Sequence, residues 1–221
     1  MKYQVQDGAG PRYFGLYPAI VTDIVDPDNL GRIELKFPWL GDPGSDDVRA
    51  WARLISLYAE DQQGIFVLPE VDTEVVAAFE AGDIRRPYVV GATWNGREAM
   101  PTTPEAANNK RLWKTRSGSI LEFDDTQGAV KITVKTAGGH QLVMDDATGD
   151  VKLEHSSGHS ITLNISGQVV INANATVEVN ASTVNVHAPV ANFDGIINCS
   201  TLIASTGVVS PSYTPGAGNI W

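Results

Sequence analysis

A repeat of about 20 residues in the second half of the chain constrains the fold more than any other feature. Gly118, Gly139 and Gly158 lie 21 and 19 residues apart, and the segments that follow them superimpose as GSILEFDDTQGAVKI, GHQLVMDDATGDVKL and GHSITLNISGQVVI. Each segment predicts two short strands with alternating apolar positions around a polar turn. One such unit cannot close a core alone, so the repeat indicates a β-solenoid-like stack.

The apolar positions of this repeat predict one buried face. Its members are Leu121, Phe123, Val130, Ile132, Leu142, Met144, Val151, Leu153, Ile161, Leu163, Val169 and Ile171. The alternation continues through QVVINANATVEVNASTVNV at residues 168–186, where Val177 and Val179 extend the same face. The phase then changes, so that Val184 and Val186 become the buried positions and a corner is expected near residues 182–183. Small inward residues predict a slender core, which several chains supply more easily than one wide coil.

The first half of the chain predicts a small β-barrel. Five apolar segments, at residues 17–25, 32–37, 48–57, 73–80 and 88–94, alternate with clusters of turn-forming residues such as DPDNLG and AGDIRRP. Five strands in about 80 residues suit an OB-like fold. Barrels of this type often bind oligonucleotides, but acidic residues outnumber basic ones in this segment, which argues against nucleic acid.

Charge and composition narrow the function classes further. The formal net charge is -10, which disfavours a general affinity for nucleic acid or anionic lipid. The single cysteine excludes an internal disulfide, and we expect Cys199 to be a small buried or half-buried filler. The sequence shows no signal peptide and no apolar run as long as a membrane span, so we expect a soluble protein made in the cytosol. MPTTPEAANN, from residue 100, predicts a linker, and a basic band follows at Lys110, Arg111, Lys114 and Arg116.

Three segments together resemble a known family. YPAIVTDIVDPDNLGRIELKFPWL and GIFVLPEVDTEVVAAFEAGDIRRPYVVGATWNG are similar to the OB-type domain of contractile-tail baseplate spikes, the phage baseplate V and VgrG-like family. KRLWKTRSGSILEFDDTQG resembles the passage from that barrel into a trimeric β-helix. The resemblance implies an all-β chain in which an OB-fold barrel precedes an intertwined trimeric β-helix, or β-prism, needle. The expected divisions are an N-terminal arm at 1–15, the barrel at 16–99, a linker and collar at 100–116, the needle at 117–205 and a cap or tip seat at 206–221.

The same resemblance implies a structural role in a baseplate. Three identical chains would form the central spike of a phage tail, tailocin or injection system, assembled in the bacterial cytoplasm and pushed through the target cell envelope when the sheath contracts. No hub-like domain precedes the barrel, which favours the short phage-type form and predicts a separate hub protein. The C-terminal end, with Tyr213, Ile220 and Trp221, is expected to cap the trimer or to seat a tip protein of the PAAR type.

The residues that suggest chemistry have simpler interpretations. Asp124, Asp125, Asp145 and Asp146 recur at one turn of the repeat, which favours turn chemistry over metal binding. DPDNLG departs from a calcium loop at Leu30, and His155 and His159 flank a turn rather than sharing a helix face. We therefore predict no catalytic residue, metal or cofactor. The alternative is a β-solenoid carbohydrate-active enzyme or a glycan-binding tail protein.

Overall fold

The computed structural model describes residues 11–41 and 47–210. Over these residues the chain is all-β apart from a three-residue 3-10 turn at Glu80–Gly82. None of the described residues forms a helix with the length and hydrophobicity of a membrane span. The chain divides into two compact units, residues 1–172 and 173–221.

The first unit begins with a closed five-stranded barrel. Its strands are β1 (Tyr17–Asp23), β2 (Arg32–Lys36), β3 (Arg49–Leu54), β6 (Glu74–Phe79) and β7 (Pro87–Ala92). They pair in the order β1-β2-β3-β7-β6, with β6 returning to β1. The β3–β7 pairing is parallel and the others are antiparallel. All five predicted strands are confirmed, with ends shifted by three residues or fewer. A small hairpin of β4 (Ala59–Glu60) and β5 (Gln63–Gly64) stands between β3 and β6.

Period-2 alternation fills the barrel interior. The buried apolar residues, none more than 8% exposed, are Ala19, Val21, Ile33, Leu35, Phe37, Ala52, Val75, Ala77, Phe79 and Val89. Tyr17 and Trp39 stack at one end of this core with ring centroids 4.6 Å apart, and the Trp39 indole N–H donates to the Pro18 carbonyl at 2.8 Å. The chain therefore closes this core with its own residues.

The turn between β1 and β2 is organised around one carboxylate. Asp26 is buried, and it accepts two hydrogen bonds from the Arg32 guanidinium, at 2.9 and 2.7 Å. The backbone N–H groups of Asp28, Leu30 and Arg32 also donate to it, at 3.0, 2.9 and 3.1 Å. The Arg32 hydrogen bonds hold the pKa of Asp26 well below its usual value, and the backbone donors act in the same direction. DPDNLG is thus a turn whose backbone and Arg32 side chain donate to the Asp26 carboxylate, in agreement with the rejection of a calcium loop.

The repeat region forms a seven-stranded antiparallel meander in the same unit. Its strands are β8 (Lys110–Lys114), β9 (Ile120–Asp124), β10 (Lys131–Lys135), β11 (Gln141–Asp145), β12 (Asp150–Glu154), β13 (Ser160–Leu163) and β14 (Val169–Asn172). Each strand pairs with the next along the chain. The predicted two-strand units are confirmed, and their glycines 118, 139 and 158 occupy the turns with φ of 93°, 89° and 95°, a left-handed conformation that favours glycine.

The second unit has no strand in its described residues, 173–210. Every described residue after Asn164 is exposed, including Cys199, so the prediction of a buried filler at that position is wrong for the single chain. The sequence predicts strand pairing onward from Asn172 to Val186, and within one chain this pairing is absent. A strand is stabilised by hydrogen bonds to a neighbouring strand, and within one chain the ladder ends at β14.

Candidate trimer interface

One face of the meander is apolar from β9 to β14, and on β8 it carries Trp113 together with Arg111. Directly paired residues in an antiparallel sheet share a face, as in the pairs Phe123–Ile132 and Met144–Val151. The registers place thirteen large apolar side chains together: Trp113, Leu121, Phe123, Ile132, Val134, Leu142, Met144, Val151, Leu153, Ile161, Leu163, Val169 and Ile171. No residue of the described part of this chain covers this face with a second apolar layer, since most of these side chains are exposed.

The last strand, β14, carries the most exposed side chain of this face. Leu121 is 37% exposed, Leu153 53% and Val169 65%. Soluble monomers rarely leave a contiguous apolar surface of this size uncovered. Covering it would contribute about 25 cal/mol for each Å² of apolar surface removed from water. The geometry therefore favours a face that is buried by other chains.

The opposite face of the same sheet is mainly polar and carries ion pairs, and four apolar residues, Leu112, Ile120, Val143 and Val170, are interspersed on it. Lys131 Nζ lies 2.7 Å from the Asp145 carboxylate on the neighbouring strand, and this contact lowers the pKa of Asp145 and raises that of Lys131. Gln141 donates to Glu154 at 3.0 Å, and this bond, followed by the Lys152 contact, lowers the pKa of Glu154. The satisfied polar face is suited to water, whereas the apolar face is not.

The structure distributes the predicted core residues over two environments. The predicted core residues between Leu121 and Ile171 lie on the apolar face, except Val130. Val130 precedes β10, and on β10 itself Val134, which pairs with Leu121, lies on this face. Val177, Val179, Val184 and Val186 lie exposed in the second unit. That they line a trimer core stays a prediction. The repeat alignment missed Val134 and Trp113; the alternation in KITVK and KRLWK was the signal that could have found them.

The four predicted collar residues do not form one patch. Arg111 pairs with Asp125, and Arg116 lies 3.0 Å from Glu70 of the barrel segment. Lys110 and Lys114 lie on the polar face of β8, opposite to Arg111. Two of the four charges are thus already compensated within the chain. The predicted cap residues Tyr213, Ile220 and Trp221 lie outside the described residues.

The aspartates of the repeat act in its turns. Asp124 accepts from the Thr126 backbone N–H at 3.0 Å, and Asp145 accepts from that of Ala147 at 2.9 Å, which confirms the turn interpretation. His155 and His159 flank the turn before β13. The ring of His155 also lies 4.2 Å from that of His140, which belongs to the turn before β11. Within residues 11–41 and 47–210, no group of three or more histidine, cysteine or acidic side chains is arranged to hold a metal ion.

Two family models match the chain, one for each β region. Residues 17–94 match the type VI secretion system and phage-baseplate injector OB domain. Residues 131–190 match the phage baseplate V C-terminal trimerisation domain, which covers most of the apolar face and continues past the last strand. The chain belongs to the phage baseplate V and VgrG-like spike family. In this family assignment the barrel is the OB domain, and the meander from β10 onward lies in the trimerisation domain.

Curated relatives with the VgrG name are similar over about half of the chain. The type VI secretion system spike protein VgrG3 of Vibrio cholerae is 28% identical over 111 residues, which are 48% of this chain and 11% of that protein. VgrG4b of Pseudomonas aeruginosa is 28% identical over 135 residues, 56% of this chain and 17% of the relative. The actin cross-linking toxin VgrG1 of V. cholerae is 27% identical over 111 residues, covering 48% and 10%. The chain therefore spans less than a fifth of the length of each of these relatives.

Proposed function

We propose that three copies of this chain form the central spike of a contractile-tail baseplate, which pierces the target cell envelope on sheath contraction. The observation that carries the proposal is the uncovered apolar face of the meander, within a segment that matches a trimerisation domain. Three chains around an axis can turn this face inward and leave the polar, ion-paired face to water. The fold of one chain then remains incomplete until two others join it.

The second unit supports a role as a shaft. Residues 173–190 retain period-2 alternation with one change of phase near residues 182–183, but residues 173–210 form no strand in one chain, as expected of segments whose pairing partners lie in other chains. After Lys152 the sequence has no lysine or arginine. A shaft with few charges avoids repulsion among three close copies and lowers the free energy of entry into hydrocarbon. Strands paired on both sides leave no free edge, which resists buckling under axial load.

The barrel supplies a mounting point in this proposal. Its core is closed by its own residues, so it can attach rigidly to a separate hub protein while the needle extends from it. The linker and collar occupy residues 100–116, the needle 117–205, and residues 206–221 cap the trimer or seat a PAAR-type tip protein. The particle would assemble in the bacterial cytoplasm and carry the spike at its tail tip. The role is structural rather than enzymatic, and the family match gives no support to the solenoid enzyme or glycan-binding alternative.

Analytical ultracentrifugation of the purified full chain tests the oligomeric part of this proposal. A homotrimer has three times the mass of the 23.7 kDa chain and dissociates only with loss of the C-terminal β-structure. Folded monomers with an intact C-terminal half would contradict the proposal.

The puncturing role is tested in assembled particles. Removal of residues 173–210 should leave the barrel folded and mounted on the hub, because its core lies elsewhere, but should abolish envelope penetration, measured as the efflux of a dye from target cells. Particles that penetrate normally without this segment would contradict the assignment of the shaft.

A further inference from the structure

A groove of about 640 Å³ lies where the barrel segment meets the first strand of the meander. Phe66 and Val67, from the segment before β6, form one wall, and Trp94 after β7 and Trp113 on β8 form another. The wall of Phe66, Val67 and Trp94 lies within the OB-domain match, whereas Glu98 and Trp113 lie between the two matched ranges, which end at residue 94 and begin at residue 131.

The aromatic side chains of the groove are unusually open to solvent. Phe66 is 82% exposed, Trp94 65% and Trp113 56%. Two tryptophans and a phenylalanine around one depression are the composition of an interface centre, where aromatic residues are enriched. An exposed apolar groove of this kind in a soluble chain indicates a docking surface.

The groove is continuous with the apolar face of the meander. Trp113 pairs in register with Leu121, and both point to the same side as Phe123. A neighbouring chain that covers Leu121 and Phe123 therefore also reaches Trp113 at the edge of the groove. This continuity identifies the occupant as a second copy of the chain.

A carboxylate at the groove lacks a donor. Glu98 is among the lining residues, and its Oε2 atom is enclosed without a hydrogen-bond donor from the described residues. The nearest cation recorded for its other oxygen is Arg97, with Nε at 4.0 Å. Residues of this chain already enclose the oxygen, so the unpaired atom does not indicate which molecule occupies the groove.

The groove is held in shape by contacts within the chain. Arg116, in the turn after β8, lies 3.0 Å from Glu70, in the segment before β6. The Thr73 hydroxyl donates to the Glu70 carbonyl at 2.6 Å. The ion pair connects the two walls and the Thr73 bond is local to the segment before β6, so a partner meets walls that the chain itself already brings together.

We propose that this groove receives a second copy of the chain, so that the subunit interface continues from the trimerisation domain onto the OB barrel. The second copy supplies an apolar side chain that covers Phe66, Trp94 and Trp113. This inference rests on the proposed trimer and adds a contact that the trimer does not require. It makes the barrel part of the subunit interface as well as a mount.

Site-specific photo-crosslinking of the full chain tests the contact. A benzophenone amino acid replaces Phe66, and in a control chain it replaces Leu30, a 68% exposed residue in the β1–β2 turn that does not line the groove. Irradiation should join position 66 to a second copy and give covalent dimers and trimers on a denaturing gel. The Leu30 control should give at least tenfold less of these products.

The mass of the unirradiated material separates this inference from the proposed function. If the chain is a trimer but position 66 forms no more intersubunit product than position 30, the groove contact is overturned and the trimeric spike stands. If the chain is a folded monomer, both are overturned. As a second measurement, Phe66→Ser should raise the concentration at which half of the trimer dissociates by about tenfold, and Leu30→Ser should leave it unchanged; equal effects would also overturn the contact.

Discussion

The barrel and the meander use the same alternating pattern but bury it in different ways. In the barrel, side chains such as Leu35 and Val75 are almost inaccessible to solvent, because the sheet closes on itself. In the meander, Leu153 and Ile171 are more than half exposed, because the sheet is open and nothing in the described part of the chain covers it. Alternation therefore specifies a sheet with one apolar and one polar face. Whether the sheet closes into a barrel decides whether a single chain can bury the apolar face.

The largest expected effect comes from placing a charge on the apolar face of the meander. Ile161→Asp puts three carboxylates into the interior of the trimer, at several kcal/mol each, so we expect loss of the trimer. Sedimentation measures the mass, and near-ultraviolet circular dichroism follows the aromatic cluster of the barrel, which should be retained. Thr162→Asp is the matched control, because Thr162 is the next residue and faces Lys152 on the polar side. Equal behaviour of the two variants would show that the faces are equivalent.

A cavity in the barrel should have the converse effect. Leu35→Ala removes a side chain that is inaccessible to solvent, so it should lower the free energy of unfolding of the barrel by about 2–5 kcal/mol. The trimer mass should remain unchanged at concentrations where the barrel is folded. Denaturant titration gives the stability, and the exposed Leu30→Ala serves as the control with an effect within about 0.5 kcal/mol. Dissociation of the trimer by Leu35→Ala would mean that the two regions are not independent.

The turns of the meander offer a smaller and more local test. Gly139 has a φ of 89°, whereas its neighbour Gly138 is not in the left-handed region and has room for a Cβ atom at ordinary van der Waals distances. Gly139→Ala should therefore lower the thermal stability of the trimer by about 1–2 kcal/mol per chain. Gly138→Ala should have less effect in the same melting experiment. A larger loss from Gly138→Ala would show that the turn is not limited by its backbone conformation.

The smallest expected effect is a pH dependence confined to the barrel. Because the pKa of Asp26 is lowered in the folded state, its contribution to stability is present above about pH 4 and is lost as the pH falls through the folded-state pKa. Asp26→Asn should make the free energy of unfolding less dependent on pH below about pH 4. The change in slope corresponds to the uptake of at most about one proton on unfolding. Urea titrations of the two proteins between about pH 2 and about pH 7 measure the slope. Identical slopes for the two proteins would show that the hydrogen bonds to the Asp26 carboxylate do not contribute to the stability of the barrel.

The sequence was most informative where short-range patterns decide the structure. The five barrel strands followed from turn clusters such as DPDNLG, and the two-strand units of the meander followed from the spacing of Gly118, Gly139 and Gly158. Alternation also predicted the apolar face from Leu121 to Ile171. These features depend on residues that are neighbours in sequence or in consecutive strands.

The remainder depends on contacts between distant residues. The parallel β3–β7 pair that closes the barrel joins Arg53 to Tyr88, and the groove brings Phe66 near Trp113. Neither has a local signature. The strand pairing expected after Asn172 is a different case, because the alternation is present but no partner strand lies in the described part of the chain.

The consecutive pairing of β8 to β14 has a consequence for biosynthesis. Each strand can pair with the preceding strand as soon as it leaves the ribosome, because no strand of the meander pairs with a segment that is distant in sequence. In the proposed trimer, the apolar face of the sheet then remains exposed to solvent until two further chains bind. During that interval the chain is liable to aggregate through this face. In the proposed trimer, assembly of the C-terminal half should consequently be faster at higher chain concentration, whereas the barrel should fold at a rate that does not depend on concentration.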